Sequence, residues 1–341
     1  NAKAAAAGQI RMEVKPLNLF YEEPDPDRWI RFDRYPRRLI RRIIRGKMQP
    51  GGVGIITVNL KKGLDKLGVP YRMNDYNYIK KHPEEIACII GKPQVLFERK
   101  WVNPVILGAG VYSHPIECPN LFSKYPNVKR ILVPGEWMRI MFEPYYHNKV
   151  FAWPVGIDTA VWSPELKGQP EFNFLIYDKI RWQHEQYQQE LIDPVCRVLD
   201  NHSLNYQFIK YGNYTPDELR TKLSNSKSVI FLCEHETQGL AYQQILATGT
   251  PILAWDRGGY WQDPYYYPEK VKFGPVSAVP YWDERCGVKF TSADDFDEQL
   301  KSFLNKLPGF NPHSYIMENL TLEKCAELYL DIYKQVEAEL K

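Results

Sequence analysis

Apolar residues fall into short runs separated by amphipathic stretches, a pattern of buried strands joined by helices. Residues 229–256 (VIFLCEHETQGLAYQQILATGTPILAWD) show it most fully. Val229 to Leu232 is an apolar run of the kind covered on both faces in a parallel sheet. Glu234 to Gly239 form a polar turn, and Leu240 to Thr248 a helix with Leu240, Ile245 and Leu246 toward the sheet. Gly249 closes that helix ahead of Pro251, and Ile252 to Ala254 resume the apolar pattern. The order is a βαβ unit. Its turn lies where open α/β sheets hold phosphates, because the first amides of a helix are unpaired and carry positive partial charge. The amides near Gly239 and Leu240 are therefore the first candidates for an anionic ligand. Glu236 and Gln244, eight residues apart and so a little over two helical turns, are placed to face one edge of it. The plainer reading is a buried βαβ unit with a solvated glutamate.

Similar alternation runs through both halves. Strands are expected at Leu17 to Tyr21, Pro104 to Leu107, Phe172 to Tyr177 and Tyr206 to Lys210. Gly51 to Gly68 reads as a Gly-rich turn opening a helix, with Ile56, Leu60, Leu64 and Leu67 on one face. Met138, Ile140, Met141 and Phe142 make a helix after Pro134-Gly135, and Pro216 to Ser226 make another. Leu320 to Leu340 is a capped helix with Thr321 as N-cap and an apolar face of Leu322, Cys325, Ala326, Tyr329, Ile332 and Val336. Parallel strands need crossovers, so the pattern implies two Rossmann-like domains. We expect the first over 12–160, the second over 171–318 and the closing helix over 319–341, with Asp158 fixing the hinge turn. Tyr35 to Lys47 is a basic amphipathic helix. Its Arg37, Arg38, Arg41, Arg42 and Arg45 either cover the core as a solvated face or attract an anionic membrane surface or polyanionic acceptor.

Composition narrows the class. A chain of 341 residues exceeds one ordinary core, and 44% hydrophobic with 25% charged residues describes a soluble globular protein. No apolar run approaches a membrane span, and the net charge of +3 is nearly balanced. The six cysteines are scattered without a C-x-x-C pair, so a reducing, cytoplasmic setting fits best. Asn1 to Gly8 lacks the features of a signal peptide and reads as an appended segment, with Met12 as the native start.

The stretch ETQGLAYQQILATGTPILA resembles the signature of the retaining nucleotide-sugar glycosyltransferases of family 4 (group 1), with its E-x7-E spacing. Glu236 falls on the first Glu, which in that family contacts the donor sugar. Gln244 replaces the second, which holds the ribose hydroxyls; an amide accepts a hydrogen bond there without charge assistance. The resemblance implies a donor turn of Thr237, Gln238, Gly239 and Leu240. It also implies a GGxG turn under the donor phosphates, matched by Gly51, Gly52 and Gly54. Lys179 and Arg181 match its diphosphate-binding loop, although Asp178-Lys179 replaces the usual Gly-Arg opening. Tyr211-Gly212 lie where the base would sit.

His114 is the catalytic candidate on the acceptor side; a lone His in such a loop is otherwise structural. Ile131 to Pro164 and Arg257-Gly258-Gly259 match the family pattern too. Tyr260 to Asp283 is longer than the pattern and reads as a sugar-stacking lid or a packed Ω-loop. The implied fold is GT-B, with two Rossmann-like sheets facing a cleft and the last helix crossing back to the first domain. The implied activity is transfer of a glycosyl group from a nucleotide-sugar donor to a sugar, lipid or small-molecule acceptor, with retention. No metal or other cofactor is expected. Two alternatives stand beside it: a catalytically weakened nucleotide-binding protein, suggested by Gln244, and an enzyme acting on nucleic acid, suggested by the arginine helix.

Overall fold

The computed structural model describes residues 15–23 and 52–341. The expectations placed on Asn1 to Gly8, Met12, Arg37 to Arg45 and Gly51 lie outside them.

Each half of the chain builds one wholly parallel sheet. The first contains β1 (Leu17–Phe20), β2 (Tyr71–Met73), β3 (Ala87–Ile89), β4 (Val105–Gly108), β5 (Val128–Val133) and β6 (Val150–Ala152), in the order β2-β1-β3-β4-β5-β6. The second contains β7 (Phe172–Asp178), β8 (Tyr206–Lys210), β9 (Ser226–Leu232), β10 (Ile252–Trp255) and β11 (Gly287–Phe290), in the order β11-β10-β9-β7-β8. The longer helices are α1 (Gly52–Leu67), α2 (Glu136–Tyr146), α3 (Asp193–Asn201), α4 (Pro216–Ser224), α5 (Leu240–Ala247), α6 (Ala293–Lys306), α7 (Pro312–Asn319) and α8 (Leu322–Glu339). Strand order reverses at β1/β3 and at β7/β9. Those reversals are the switch points where such sheets open a crevice at their carboxyl ends.

Periodicity accounts for the burial. All four residues of β1 and the last five of β7 are buried, as parallel strands covered on both faces require. Helix α8 buries the face the sequence proposes, Leu322 through Val336, and Thr321 caps it by accepting from the Lys324 amide (3.2 Å). That face lies on α1, and the two helices approach at Gly63. A Cβ at Gly63 would strike the Leu322 carbonyl and sit 2.8 Å from Ala326 Cβ. Trp153 Nε1 donates to the Cys325 carbonyl (2.8 Å), and Ile157 bridges to Thr321. The linker is anchored by Lys167, whose Nζ donates to the Leu223 and Ser226 carbonyls and to Thr250 Oγ1 (3.1 Å). Burial among these neutral acceptors pulls its pKa down to about 8.

The structure corrects two expectations and decides between the two readings of a third. Ile140 is 48% exposed; the buried positions of α2 are Trp137, Met138, Met141, Phe142 and Tyr146, a cleaner helical stripe. Gly52 and Gly54 belong to the first turn of α1, so the glycine cluster is helical from Gly52 onward rather than a free turn. The 260–283 stretch is packed rather than open: Trp261, Tyr266, Val271 and Val276 are buried in a core otherwise built from the first half. Among the described residues no helix is long and apolar enough to cross a membrane.

Gly63→Val should therefore destabilise the protein by roughly 1–3 kcal/mol through overpacking. Gly309→Ala, where an added Cβ meets nothing within 4 Å, should stay within about 0.5 kcal/mol. Urea unfolding of the two variants checks this; equal midpoints would show that α1 and α8 are not in close contact.

Candidate active site

The site forms where β7 and β9 end side by side. They pair in register up to Asp178 opposite Leu232, and the Lys179 amide donates to the Leu232 carbonyl (2.8 Å). The chain after β9 cannot continue as a strand, because Glu234, His235 and Glu236 are followed by Gly239 at φ +77°, a left-handed turn that opens α5. That leaves the amides of Leu240, Ala241 and Tyr242 without intrahelical acceptors, at the positive end of the helix.

Glu236 and Lys179 are both buried and form an ion pair. Lys179 Nζ also lies 4.2 Å from the centre of the Tyr211 ring, itself half exposed. Burial pulls the Lys179 ammonium down, but the attraction of Glu236, joined by Cys233 and Tyr211, overrides it and holds the pKa above its usual value. Glu234 is more buried still. Its Oε1 accepts from the Arg181 and Trp182 amides (2.7 and 2.8 Å), fixing the loop after β7 against the loop after β9.

The first half clamps this loop. Trp137 Nε1 donates to the Glu236 carbonyl (2.8 Å), and Tyr281 Oη, from the second half, donates to the Pro134 carbonyl (2.6 Å). Between the halves lies a cavity of about 200 Å³, lined among others by Lys92, Tyr112, Trp137, Arg181, His235 and Thr237. Glu236 lies in sequence between two of its lining residues, His235 and Thr237.

The proposed residues are not all brought together. Glu236, Lys179, Arg181, Tyr211, Thr237, Gly239 and Leu240 cluster at or beside the β7/β9 reversal, and Gly212 follows Tyr211 in the turn after β8. Gln238 faces the other way. Its Oε1 accepts from the Val155 amide (3.0 Å) and its Nε2 donates to Gln243 Oε1 (3.0 Å), so its side chain joins the halves. Gln244 is on α5 and partly exposed, whereas Glu236 lies before the helix begins, so helical spacing does not relate the two. The described contacts do not join Gly52 and Gly54 to the cluster.

His114 is buried, and its Nδ1 accepts from the Ile116 amide (3.1 Å), capping a short helical turn. Trp261 stacks over it at 6.0 Å, and burial lowers its pKa to about 4 despite Glu117 nearby. The geometry gives it a capping role. Sequence reasoning passed over Trp137 and His235. The Pro-Gly-Glu-Trp turn was visible, but nothing in it says that the indole reaches the neighbouring half.

An Asp-x-Asp spacing occurs at 25–27, outside the described residues, and at 295–297 in α6. There Asp295 accepts the Thr291 and Ser292 amides and Asp297 pairs with His202 and Lys301. Among the described residues, His82, Glu84 and Glu85 bring potential metal-ligating atoms within 4.8 Å of one another, before β3 and apart from the cleft. A larger cavity of about 510 Å³, bordered by Lys80, Arg99 and Trp101, also lies in the first half, toward the start of β4.

Two parallel sheets with their carboxyl-end crevices, joined by a helix returning from the second half to the first, define the GT-B fold. The chain has that fold. It is similar to sucrose-phosphate synthase from Thermosynechococcus elongatus, with a TM-score of 0.58 at 12% identity over 95% of this chain and 100% of that one. It is also similar to a structure of accessory secretory proteins 1, 2 and 3 in Streptococcus pneumoniae, with a TM-score of 0.51 at 14% identity over 77% of this chain. The match spans 55% of the latter's length. No family model and no curated protein matches the sequence.

The two buried imidazoles make an acid-side expectation. The His235 pKa is pushed down to about 2 by burial and by Arg181, Arg257 and Lys179, and that of His114 to about 4. A histidine neutral in the fold but titrating near 6.5 when unfolded contributes fully above pH ~6.5. It loses that contribution as pH falls toward the folded value. Melting temperature should therefore fall from pH 6.5 to 4 more steeply in wild type than in His235→Phe; parallel slopes would mean the ring is solvated.

Proposed function

We propose that the protein is a glycosyltransferase that moves a sugar from a nucleotide-sugar donor to a sugar, lipid or small-molecule acceptor. The observation that carries this reading is the buried Lys179–Glu236 pair at the β7/β9 reversal, beside the unpaired amides of α5. The diphosphate would lie on the amides of Leu240 to Tyr242, with Lys179 and Arg181 neutralising it. A diphosphate draws Lys179 toward itself and so frees Glu236. The carboxylate then accepts hydrogen bonds from the donor sugar and favours the positive charge that develops at the anomeric carbon as the nucleotide leaves. Tyr211 and Gly212 border the base, and Gln244 takes a ribose hydroxyl. Retention of configuration follows from the family resemblance, and the cations on the loop after β7 take the place of a metal.

Titration with UDP-, GDP-, ADP- and dTDP-sugars in EDTA should find at least one that binds; binding of none, or only with added metal, would overturn the donor site. Glu236→Gln should lower kcat by roughly a hundredfold while tightening the binding of the bare nucleoside diphosphate, because Lys179 no longer has to leave a carboxylate to reach it. It also leaves Lys179 buried without its partner, at a cost of about 3–5 kcal/mol in stability. The double variant Lys179→Met/Glu236→Leu removes both charges and should regain melting temperature but not turnover. If turnover returns with stability, the pair is structural and Glu236 takes no part in the chemistry.

A further inference from the structure

Four cations of the first half meet at the end of its sheet opposite the crevice. Two cavities lie there, where the chain enters β4 and β5, and they share a wall of Arg99, Lys100 and Trp101. The larger, of about 510 Å³, continues past Tyr76 and Lys80, and the smaller, of about 380 Å³, past Lys124 and Tyr125. Both fall within the size range of cavities that seat a discrete ligand. Among the described residues that line them, Glu98 is the single acid, against Lys80, Arg99, Lys100 and Lys124. Arg99 is held by Glu22 (2.9 Å), whereas the three lysines are exposed and form no ion pair among the described residues.

The loops that carry these lysines are fixed by side-chain amides. Asn103 is buried, and its Nδ2 donates to the His82 and Glu85 carbonyls (2.7 and 3.0 Å). Asn127 Nδ2 donates to the Asn103 and Trp101 carbonyls (2.9 and 3.3 Å), and Trp101 Nε1 donates to the Val95 carbonyl (3.0 Å). The hollows are therefore preformed, which spares a ligand the cost of ordering them. Single-stranded nucleic acid needs open aromatic faces on which bases stack. Here Arg99 covers a face of Tyr76 at 3.6 Å, and Phe97 and Tyr125 stack on each other at 5.3 Å. A bilayer is bound by an apolar face that projects into it, and these surfaces are concave. Exposed ammonium groups above paired hollows, with ring edges inside, suit a chain of polar rings that carries acid groups.

We propose that these two cavities hold an acidic oligosaccharide, a stretch of acceptor chain bearing carboxylate or phosphate groups, at the end of the first sheet away from the transfer site. Lys80, Lys100 and Lys124 meet the acid groups, and Trp101 and Tyr76 meet the rings. The sheet stands between this site and the crevice, so its grip acts as a second binding module that favours a long acceptor over a short one. The role as acceptor rests on the glycosyl-transfer reading; the anion site rests on the lysines and the hollows alone.

Binding is measured without nucleotide, so the result is readable whether or not the donor site exists. Wild type should bind hexagalacturonate or a phosphomannan hexasaccharide, and should bind the methyl ester of hexagalacturonate, which has the same rings without the charge, at least about tenfold more weakly. The triple variant Lys80→Gln/Lys100→Gln/Lys124→Gln should lose about tenfold for the acidic chain, since each exposed charge contributes only a fraction of that. Lys227→Gln/Lys306→Gln/Lys324→Gln removes the same charge from exposed lysines outside both cavities and should change affinity less than about twofold. Binding of neither acidic chain, equal binding of the methyl ester, or equal losses in the two triple variants overturns the proposal. So does tighter binding of a uridine hexanucleotide or of phosphatidylglycerol vesicles that the first triple variant loses, because the site then serves nucleic acid or membrane. If no nucleotide sugar binds but the acidic chain does, the glycan site stands and its role in holding an acceptor is overturned.

Discussion

A lysine and a glutamate withdrawn from water hold each other only where their surroundings are fixed, because desolvation costs several kcal/mol per ion and attraction offsets it only in good geometry. The Lys179–Glu236 pair meets that demand through its backbone. The Lys179 amide, first past the end of β7, donates to the last carbonyl of β9, and the Glu236 amide donates to the Ser277 carbonyl (2.9 Å) while its own carbonyl accepts the Trp137 indole. The strands fix one partner and the opposite half of the molecule helps fix the other. Loosening either half would leave an uncompensated charge indoors.

This constraint explains why so much of the 234–239 loop is turned away from the cleft. Gln238 ties to Val155, and Gln243 donates back to the Gln238 carbonyl (2.7 Å). Tyr242 Oη accepts from the Tyr281 amide (2.9 Å). These amides and hydroxyls form a connected network whose members satisfy one another, the condition under which buried polar groups rigidify a structure instead of weakening it. Only Thr237 and His235 are left to face the cavity, with the helix amides just beyond.

Local pattern carried far in this chain. The apolar run, polar turn and helix around Glu236 follow from period and capping alone, and so does the buried stripe of α8, because both are set by neighbours within one or two turns. What escaped sequence reasoning depends on the far half of the molecule. Gln238 looks like a ligand-facing residue until Val155 is brought beside it, and His114 looks free until its own chain turns back onto Nδ1. The eight-residue spacing of Glu236 and Gln244 suggested one face, but the helix begins only after the left-handed Gly239, which lies between them. The Tyr- and Trp-rich stretch admitted two readings, since composition shows a payload of apolar surface without saying which side receives it.

The receiving side is the first half. Trp261, Tyr266, Val271 and Val276 enter its core from one side, while Ala326, Tyr329, Ile332 and Val336 cover β-sheet and α1 residues from another. In the order of synthesis these residues come after every strand of that sheet. The amino-terminal sheet leaves the ribosome with two of its apolar faces uncovered, and they stay so until more than a hundred further residues have been added. Domains that are complete in themselves fold as they emerge, amino-terminal first. Here the first of the two sheets must wait for a helix that follows the second, so the two halves commit to their final packing together.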